Sequence, residues 1–207
     1  MKTLIYATKG KPYLHQSRYN LNYYLGSIKP ELRPQLLNGK VVASFDFDEW
    51  DLIKPAMNVF NEGFNDINIY KRGKDWVLPI EENDYLSRTC LSKKEIIEYS
   101  KGKPLYAWHI DNLQVFDEPI ELGELYSYNK LLQAKHESET IDDTILRLKK
   151  LGTIDKYRLR VVPQSYMYVY YKGEKCLLLS TKSQHCYNIL QRKKTVEIHK
   201  SVPKEVR

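Results

Sequence analysis

A carboxylate, an imidazole and an ammonium group lie within six residues near the C-terminal end of the chain. Glu197 and His199 alternate with the apolar Val196 and Ile198, and Lys193-Lys194 come directly before them. Alternation with a period of two is typical of a strand with one core face, which leaves the glutamate and the histidine on the opposite face. One interpretation of this pattern is a chemical site, since a lysine–carboxylate pair can activate water. The other interpretation is a charged strand in contact with solvent.

Local patterns predict the elements that position these groups. The apolar run Cys176–Leu179 is followed by Ser180, a segment of helix length, a basic turn and the alternating residues 195–199. The hydrophobic period changes from 2 to 3.6 and back to 2, which indicates strand, helix, turn and strand over 176–200.

Positive charge is concentrated in the last third of the sequence. Residues 145–207 carry 15 Lys and Arg against 4 Asp and Glu, or +11, whereas residues 1–144 carry 18 against 22, or −4, which together make the net +7. This asymmetry favours a surface that binds a polyanion over a random distribution of charged residues along the chain. Lys9 and Lys11, in a loop with Gly10 and Pro12, are further candidates for a phosphate contact.

Composition indicates a globular protein without a metal site or cofactor. Of the 207 residues, 42% are hydrophobic and 29% are charged, and no apolar run approaches the ~18 residues of a membrane span. We therefore expect a cytoplasmic protein that does not bind membranes. Cys90, Cys176 and Cys186 lack Cys-x-x-Cys spacing and are expected to be reduced, buried thiols, and His185-Cys186 has no second pair with which to hold a metal.

In total, the local patterns predict an α+β protein with about seven short strands and three or four short helices. Besides the strands within 176–200, strands are expected at Thr3–Ala7, Lys40–Phe47, Trp76–Leu78, Pro104–Ile110, Arg158–Val162 and Tyr166–Tyr171, and helices at Glu31–Leu37, Lys93–Tyr99 and within Ser138–Leu151. Residues 48–87 have no clear period and are predicted to be an irregular insertion. Because strands this short need closure to protect their edges, a small barrel is favoured.

Residues 192–199 resemble the hallmark of the ASCH domain, a PUA-like β-barrel associated with RNA. The family motif is Gly-x-Lys-x-x-Glu-x-Arg, and this chain has Arg192-x-Lys194-x-x-Glu197-x-His199. Sequence segments of prophage ASCH proteins are also similar to residues 3–14, 37–48, 88–122 and 162–169 of this chain. Their order is rotated, which indicates a circularly permuted single domain over 1–207 or, alternatively, a truncated tandem array.

The resemblance implies a circularly permuted PUA-like barrel that binds RNA or single-stranded nucleic acid in a basic cleft around Lys194 and Glu197. It also implies that strand Thr195–His199 lies near strand Leu4–Ala7. An arginine in place of the family's glycine is strained if its φ is positive, and a histidine lacks the permanent charge of arginine. The expected interface consists of Lys9, Lys11, Lys182, Arg192, Lys193, Lys194, Glu197, His199 and Lys200.

Two other functions stay open at this point. One branch of the family resembled here hydrolyses N4-acetylcytidine, in which case Lys194 and Glu197 are the catalytic residues, although Glu197 occupies the position of that branch's threonine. A phage accessory protein that binds a host protein, such as a defence nuclease, through residues 48–87 is the second alternative. The sequence does not determine the oligomeric state.

Overall fold

The computed structural model describes residues 1–8, 39–57, 64–71 and 82–206. Within these ranges the chain has ten strands, which form two sheets, and five short helices. This combination confirms the α+β class. The strands are β1 (Lys2–Ala7), β2 (Val41–Asp46), β3 (Trp50–Met57), β4 (Phe64–Lys71), β5 (Leu105–His109), β6 (Asp111–Ile120), β7 (Tyr126–Ser127), β8 (Tyr166–Tyr171), β9 (Glu174–Thr181) and β10 (Val196–His199). The helices are α1 (Glu82–Thr89), α2 (Lys93–Ser100), α3 (Tyr128–Ala134), α4 (Ile141–Lys150) and α5 (Ser183–Leu190).

The chain divides into two compact units, each built from two separate stretches. The first unit is Met1–Phe45 with Gln114–Cys186, and the second is Asp46–Leu113 with Tyr187–Arg207. The expectation of a single ASCH-like domain over 1–207 stays a prediction.

The larger sheet has the order β6-β2-β1-β9-β8-β7. Strand β1 pairs in parallel with β9, so that Leu4 lies opposite Leu178, and β8 pairs antiparallel with β9. The turn between β8 and β9 has positive φ at both Lys172 and Gly173, the conformation that two-residue hairpin turns favour. Apolar side chains including Leu4, Leu178 and Leu125 form the core of the first unit.

Helices α3 and α4 form a second apolar cluster of the first unit. Ile145 and Leu148 of α4 are buried there with Tyr170 of β8, so the helix predicted within Ser138–Leu151 turns one apolar side to this cluster. Thr140 caps α4 by accepting from the backbone N–H of Asp143, whose carboxylate accepts from the Thr140 backbone in return.

The smaller sheet has the order β10-β5-β3-β4 and belongs to the second unit. All of its pairings are antiparallel. Tyr85 of α1 and Ile96 of α2 pack with Ile53, Ala107 and Val196 of the sheet to form its core. The helix predicted at Lys93–Tyr99 is confirmed as α2, and it begins with a capping box between Ser92 and Glu95.

A closed barrel is not formed by the residues that the structure describes. Instead, the larger sheet has features at both of its edges that oppose further strand pairing. Strand β7 has only two residues, and the exposed edge strand β6 carries Asp117, Glu118 and Pro119 near its end. A very short strand, charged side chains and proline all oppose pairing with another chain, so these edges do not need closure.

The expectation of an irregular insertion at 48–87 is wrong for the described part of that range. Strand β3 pairs with both β4 and β5 and therefore lies inside the smaller sheet. Its alternation is obscured in the sequence because Lys54 and Pro55 interrupt it and because the register shifts between Ala56 and Met57. The predicted strand Trp76–Leu78 and helix Glu31–Leu37 lie outside the described residues.

The expectation of a strand at Arg158–Val162 is also wrong. Residues 158–162 form no strand and contribute a single bridge between Arg158 and Tyr126. Strand β1 pairs within the larger sheet and β10 pairs with β5 of the smaller one, and the expected proximity of the first and last strands stays a prediction. None of the helices in the described ranges has the length and apolar character needed to cross a bilayer.

Candidate nucleic-acid interface

The order of elements predicted over 176–200 is confirmed. Strand β9, helix α5 and strand β10 follow one another along the chain. Val196 and Ile198 join the core of the second unit, as the alternation predicts. The opposite face of β10 is buried too, so Glu197 and His199 are enclosed rather than presented to solvent.

The basic turn between α5 and β10 is fixed by backbone hydrogen bonds. The carbonyl oxygen of Asn188 accepts from the N–H groups of both Lys193 and Lys194, each at 3.0 Å. Arg192 has a φ of 59°, in the left-handed region that favours glycine. The ASCH motif has glycine at this position, and glycine adopts a positive φ without strain. Arg192 has the same backbone conformation and is strained by it.

A second set of bonds ties the residue after the turn to α1. The N–H of Thr195 donates to the Arg88 carbonyl at 2.9 Å, and the Arg88 Nε donates to the Thr195 hydroxyl at 3.3 Å. This reciprocal pair fixes the start of β10 and thereby the direction of Lys194 and Glu197.

Lys194 and Glu197 form an internal ion pair. The Nζ of Lys194 lies 3.0 Å from a Glu197 carboxylate oxygen and donates to the Thr89 carbonyl at 2.9 Å. Lys194 is 1% exposed, and the Glu197 side chain is 12% exposed. Because its ammonium group is bonded on two sides inside the protein, Lys194 does not present its charge to a phosphate in this conformation.

His199 lies in an aromatic stack on the same face of the sheet as Glu197. Its ring centroid is 4.0 Å from that of Trp108, which in turn lies 4.3 Å from Phe47. Burial lowers the pKa of His199 to about 4, with Lys194 acting in the same direction and Glu197 opposing it. The imidazole is therefore neutral at pH 7, and its Nε2 makes no hydrogen bond within the described part of the chain.

The other predicted basic side chains lie at the surface wherever the structure describes them. Lys182 of the first unit is exposed, and so are Arg192, Lys193 and Lys200 of the second. The Nζ of Lys200 lies 4.6 Å from the centroid of the Tyr99 ring, and Tyr99 is 43% exposed. Lys9 and Lys11 lie outside the described residues.

Tyr99 is a candidate that the sequence analysis missed. It lies in the last turn of α2, just over a hundred positions from Lys200, and only the folded chain brings the two together. Burial, with a smaller contribution from Glu197, raises the pKa of Tyr99, so the phenol is neutral at physiological pH. A cation next to a half-exposed ring can contact both the backbone and a base of a nucleic acid.

A polar cluster on the core side of the smaller sheet was missed as well. One carboxylate oxygen of the buried Asp51 accepts from the Tyr85 hydroxyl at 3.1 Å and lies 2.9 Å from the Nε2 of His109. Burial raises the pKa of Tyr85 well above its usual range, and the neighbouring Asp51 raises it further. The cluster joins β3, β5 and α1, and we interpret it as an internal structural bridge.

The three cysteines, all within the part of the chain that the structure describes, form no disulfide bond. Cys176 and Cys186 are buried as expected, whereas Cys90 is half-buried. Burial raises the pKa of Cys90 and raises that of Cys176 to about 11, which keeps both thiols protonated. Among the residues that the structure describes, no three His, Cys, Asp or Glu side chains are grouped so that they could hold a metal ion.

Comparisons of this chain with protein-family models, with curated proteins and with solved structures found no match.

Proposed function

We propose that this chain binds RNA or another single-stranded nucleic acid through a basic surface of the second unit, formed by Arg192, Lys193, Lys200 and Tyr99. The observation that carries the proposal is the exposure of these three cations, with Lys200 held 4.6 Å from the half-exposed Tyr99 ring. Exposed cations neutralise phosphates, and an accessible ring stacks on a base.

The spacing along β10 supports an extended ligand. Arg192 and Lys193 precede this four-residue strand and Lys200 follows it, so the backbone between the two groups includes an extended segment of about 13 Å at ~3.3 Å per residue. A single strand can contact two such groups of cations with phosphates that are not adjacent. A small anion reaches only one of the two groups.

The fold gives the buried residues of the expected interface a supporting role. Lys194 and Glu197 anchor the turn that carries Arg192 and Lys193, through the contacts to Thr89 and to each other. We therefore place the nucleic-acid contact on the exposed cations and not on the lysine–glutamate pair.

The proposal includes a fold related to the ASCH domain, in circularly permuted form. The four similar sequence segments, the strand–helix–strand order and the left-handed backbone of Arg192 support a relationship to ASCH domains. Neither a closed barrel nor a pairing of β1 with β10 occurs among the described residues. A circularly permuted ASCH domain therefore rests on the sequence resemblance.

The amidohydrolase alternative has no support from the geometry, because the ammonium of Lys194 is bonded internally and 1% exposed. The host-protein alternative rests on residues 48–87. Their described part supplies β3 and β4 of the smaller sheet, and no observation favours a particular partner.

The test is a titration of a fluorescent single-stranded RNA decamer into the full chain between 50 and 200 mM salt. Arg192→Gln/Lys200→Gln removes two cations, and Lys149→Gln/Lys150→Gln removes two exposed cations from α4 as a matched control. We expect the first variant to bind more weakly and its log–log salt slope to fall by about 1.4, at ~0.7 per phosphate contact of a single strand.

The control variant is expected to keep the affinity and the salt slope of the parent protein. Equal losses in both variants indicate a general charge effect and contradict the proposed surface. Absence of any salt-dependent binding by the parent chain contradicts the proposed function itself.

A further inference from the structure

A basic pocket lies in the first unit and shares no residue with the surface proposed above. It has a volume of about 420 Å³. Its walls come from the region where β7 meets α3, from residues 156–161 and from β8. The volume falls within the ~300–1,000 Å³ typical of sites for small molecules.

Of the eight described residues that line this pocket, four are cationic and none is acidic. The four are Lys130, Lys156, Arg158 and Arg160. Arg158 is paired with the exposed Asp155 at 2.9 Å, whereas no ion pair involves the other three among the residues that the structure describes. Four cations that converge on one cavity repel each other, and an anion that enters the cavity relieves this repulsion.

One of these cations, Arg158, is oriented by contacts within the protein before any ligand arrives. Besides its contact with Asp155, the guanidinium of Arg158 donates to the Gly123 carbonyl at 2.7 Å and lies 5.0 Å from the Tyr126 ring centroid. The adjacent backbone is also fixed, since Leu159 N–H donates to the Leu125 carbonyl at 2.9 Å. A cation that is already oriented costs less conformational entropy on binding.

The remaining walls are suited to the rest of an organic phosphate. Val161, which is 76% exposed, and Met167 provide apolar surface, and Ser127 adds a hydroxyl group. A phosphomonoester carries about −1.5 to −2 charges at pH 7 and three acceptor oxygens, so it can engage several cations at once. A phosphodiester carries a single charge and has less to gain from four converging cations.

We propose that this pocket binds a phosphomonoester group, carried by a free nucleotide or by the phosphorylated end of a nucleic-acid strand. The fixed Arg158 receives the phosphate, the three unpaired cations close around its oxygens, and the sugar or base lies against Val161 and Met167. The proposal does not depend on the surface at Arg192 and Lys200, because the two sites lie in different units of the chain.

The test uses calorimetric titration of the full chain with adenosine 5′-monophosphate, adenosine and inorganic phosphate. A parallel anisotropy titration compares an RNA decamer with a 5′-phosphate against the same decamer with a 5′-hydroxyl. Lys156→Gln/Arg160→Gln removes two exposed cations of the pocket, and Lys149→Gln/Lys150→Gln is the matched control. Neither pair has a hydrogen bond or ion pair that folding requires among the described residues, so we expect both variants to fold.

We expect the 5′-monophosphate to bind and adenosine not to bind, with a loss of at least about tenfold in the pocket variant, as removal of charged hydrogen bonds predicts. The control and Arg192→Gln/Lys200→Gln are expected to bind the nucleotide as the parent does. A preference for the phosphorylated decamer identifies a strand end as the source of the phosphate, and binding of the nucleotide alone identifies a free nucleotide. Failure of every phosphate to bind, or equal binding by the pocket variant, overturns the proposal.

Discussion

The ammonium group of Lys194 lies 3.0 Å from the carboxylate of Glu197, and both residues are buried. The third member of this contact is the Thr89 carbonyl at the end of α1, 2.9 Å from the same Nζ. A charge that was expected to meet a ligand thus joins a helix end to the last strand.

Replacement of this lysine is expected to destabilise the protein strongly. Lys194→Met leaves the Glu197 carboxylate buried without its partner, and such losses typically cost about 3–5 kcal/mol of unfolding free energy. Urea denaturation measures the change, with Lys200→Met as the control for loss of an exposed cation. The double variant Lys194→Met/Glu197→Gln is expected to recover most of the stability. A double variant as unstable as the single one contradicts the pairing.

His199 is expected to make the stability depend on pH in the acidic range. Its pKa is about 4 in the folded protein against 6.5 when unfolded. The unfolded state therefore binds more protons between these values, and stability falls as the pH decreases from about 6.5 towards 4. The full effect is roughly 3 kcal/mol at 1.36 kcal/mol per pH unit.

Unfolding measured at several pH values tests this dependence. His199→Phe keeps an aromatic ring against Trp108 but cannot titrate, so its stability is expected to vary less between pH 6.5 and 4. His136→Gln removes a mostly exposed histidine and is expected to retain the parent's pH dependence. The same slope in His199→Phe and in the parent rules out His199 as the cause.

A glycine at position 192 is expected to stabilise the turn before β10. Arg192 has a φ of 59°, which glycine adopts without the steric cost that a Cβ imposes. Arg192→Gly should therefore be more stable than Arg192→Ala by about 1 kcal/mol in thermal or urea unfolding, since the two variants lose the same charged side chain. Both are expected to weaken RNA binding equally. Equal stability of the two variants shows that the turn is not strained.

Loss of one hydrogen bond to Asp51 is expected to lower the free energy of unfolding by a measurable amount. Tyr85→Phe removes the hydroxyl that donates to the buried Asp51 carboxylate at 3.1 Å. A hydrogen bond to a charged group contributes about 1.5–3 kcal/mol, so unfolding free energy should fall by that order. Tyr99→Phe, on a half-exposed ring, is the control and should change stability by less than about 0.5 kcal/mol. Equal small effects of both variants contradict a structural role for this cluster.

Local spacing in the sequence was enough to locate several elements. The Ser92 capping box and the apolar stripe of Ile145 and Leu148 each depend on residues three or four positions apart, and both are present in the fold. The order of elements over 176–200 also follows from a change of hydrophobic period. Such patterns can be interpreted from sequence alone, because the spacing of nearby residues determines which of them lie on the same side of a helix or strand.

The burial of the candidate site depends on contacts between distant residues and could not be predicted. Lys194 is enclosed because Thr89, 105 positions earlier, supplies a carbonyl. Likewise, His109 meets Asp51 across 58 positions, and the pocket around Arg158 needs Lys130 from another element. A charged residue on an alternating strand looks the same in sequence whether its outer face is covered or exposed.

The parallel pairing of β1 with β9 constrains how the first unit forms during synthesis. Thr3 is matched with Leu177, so one edge of β1 has no partner until residues 174–181 have left the ribosome. Loop closure over such a span is slow compared with the formation of hairpins and helices. Until β9 has been synthesised, nascent chains should therefore expose one backbone edge of an apolar strand, and such an edge favours non-native strand pairing.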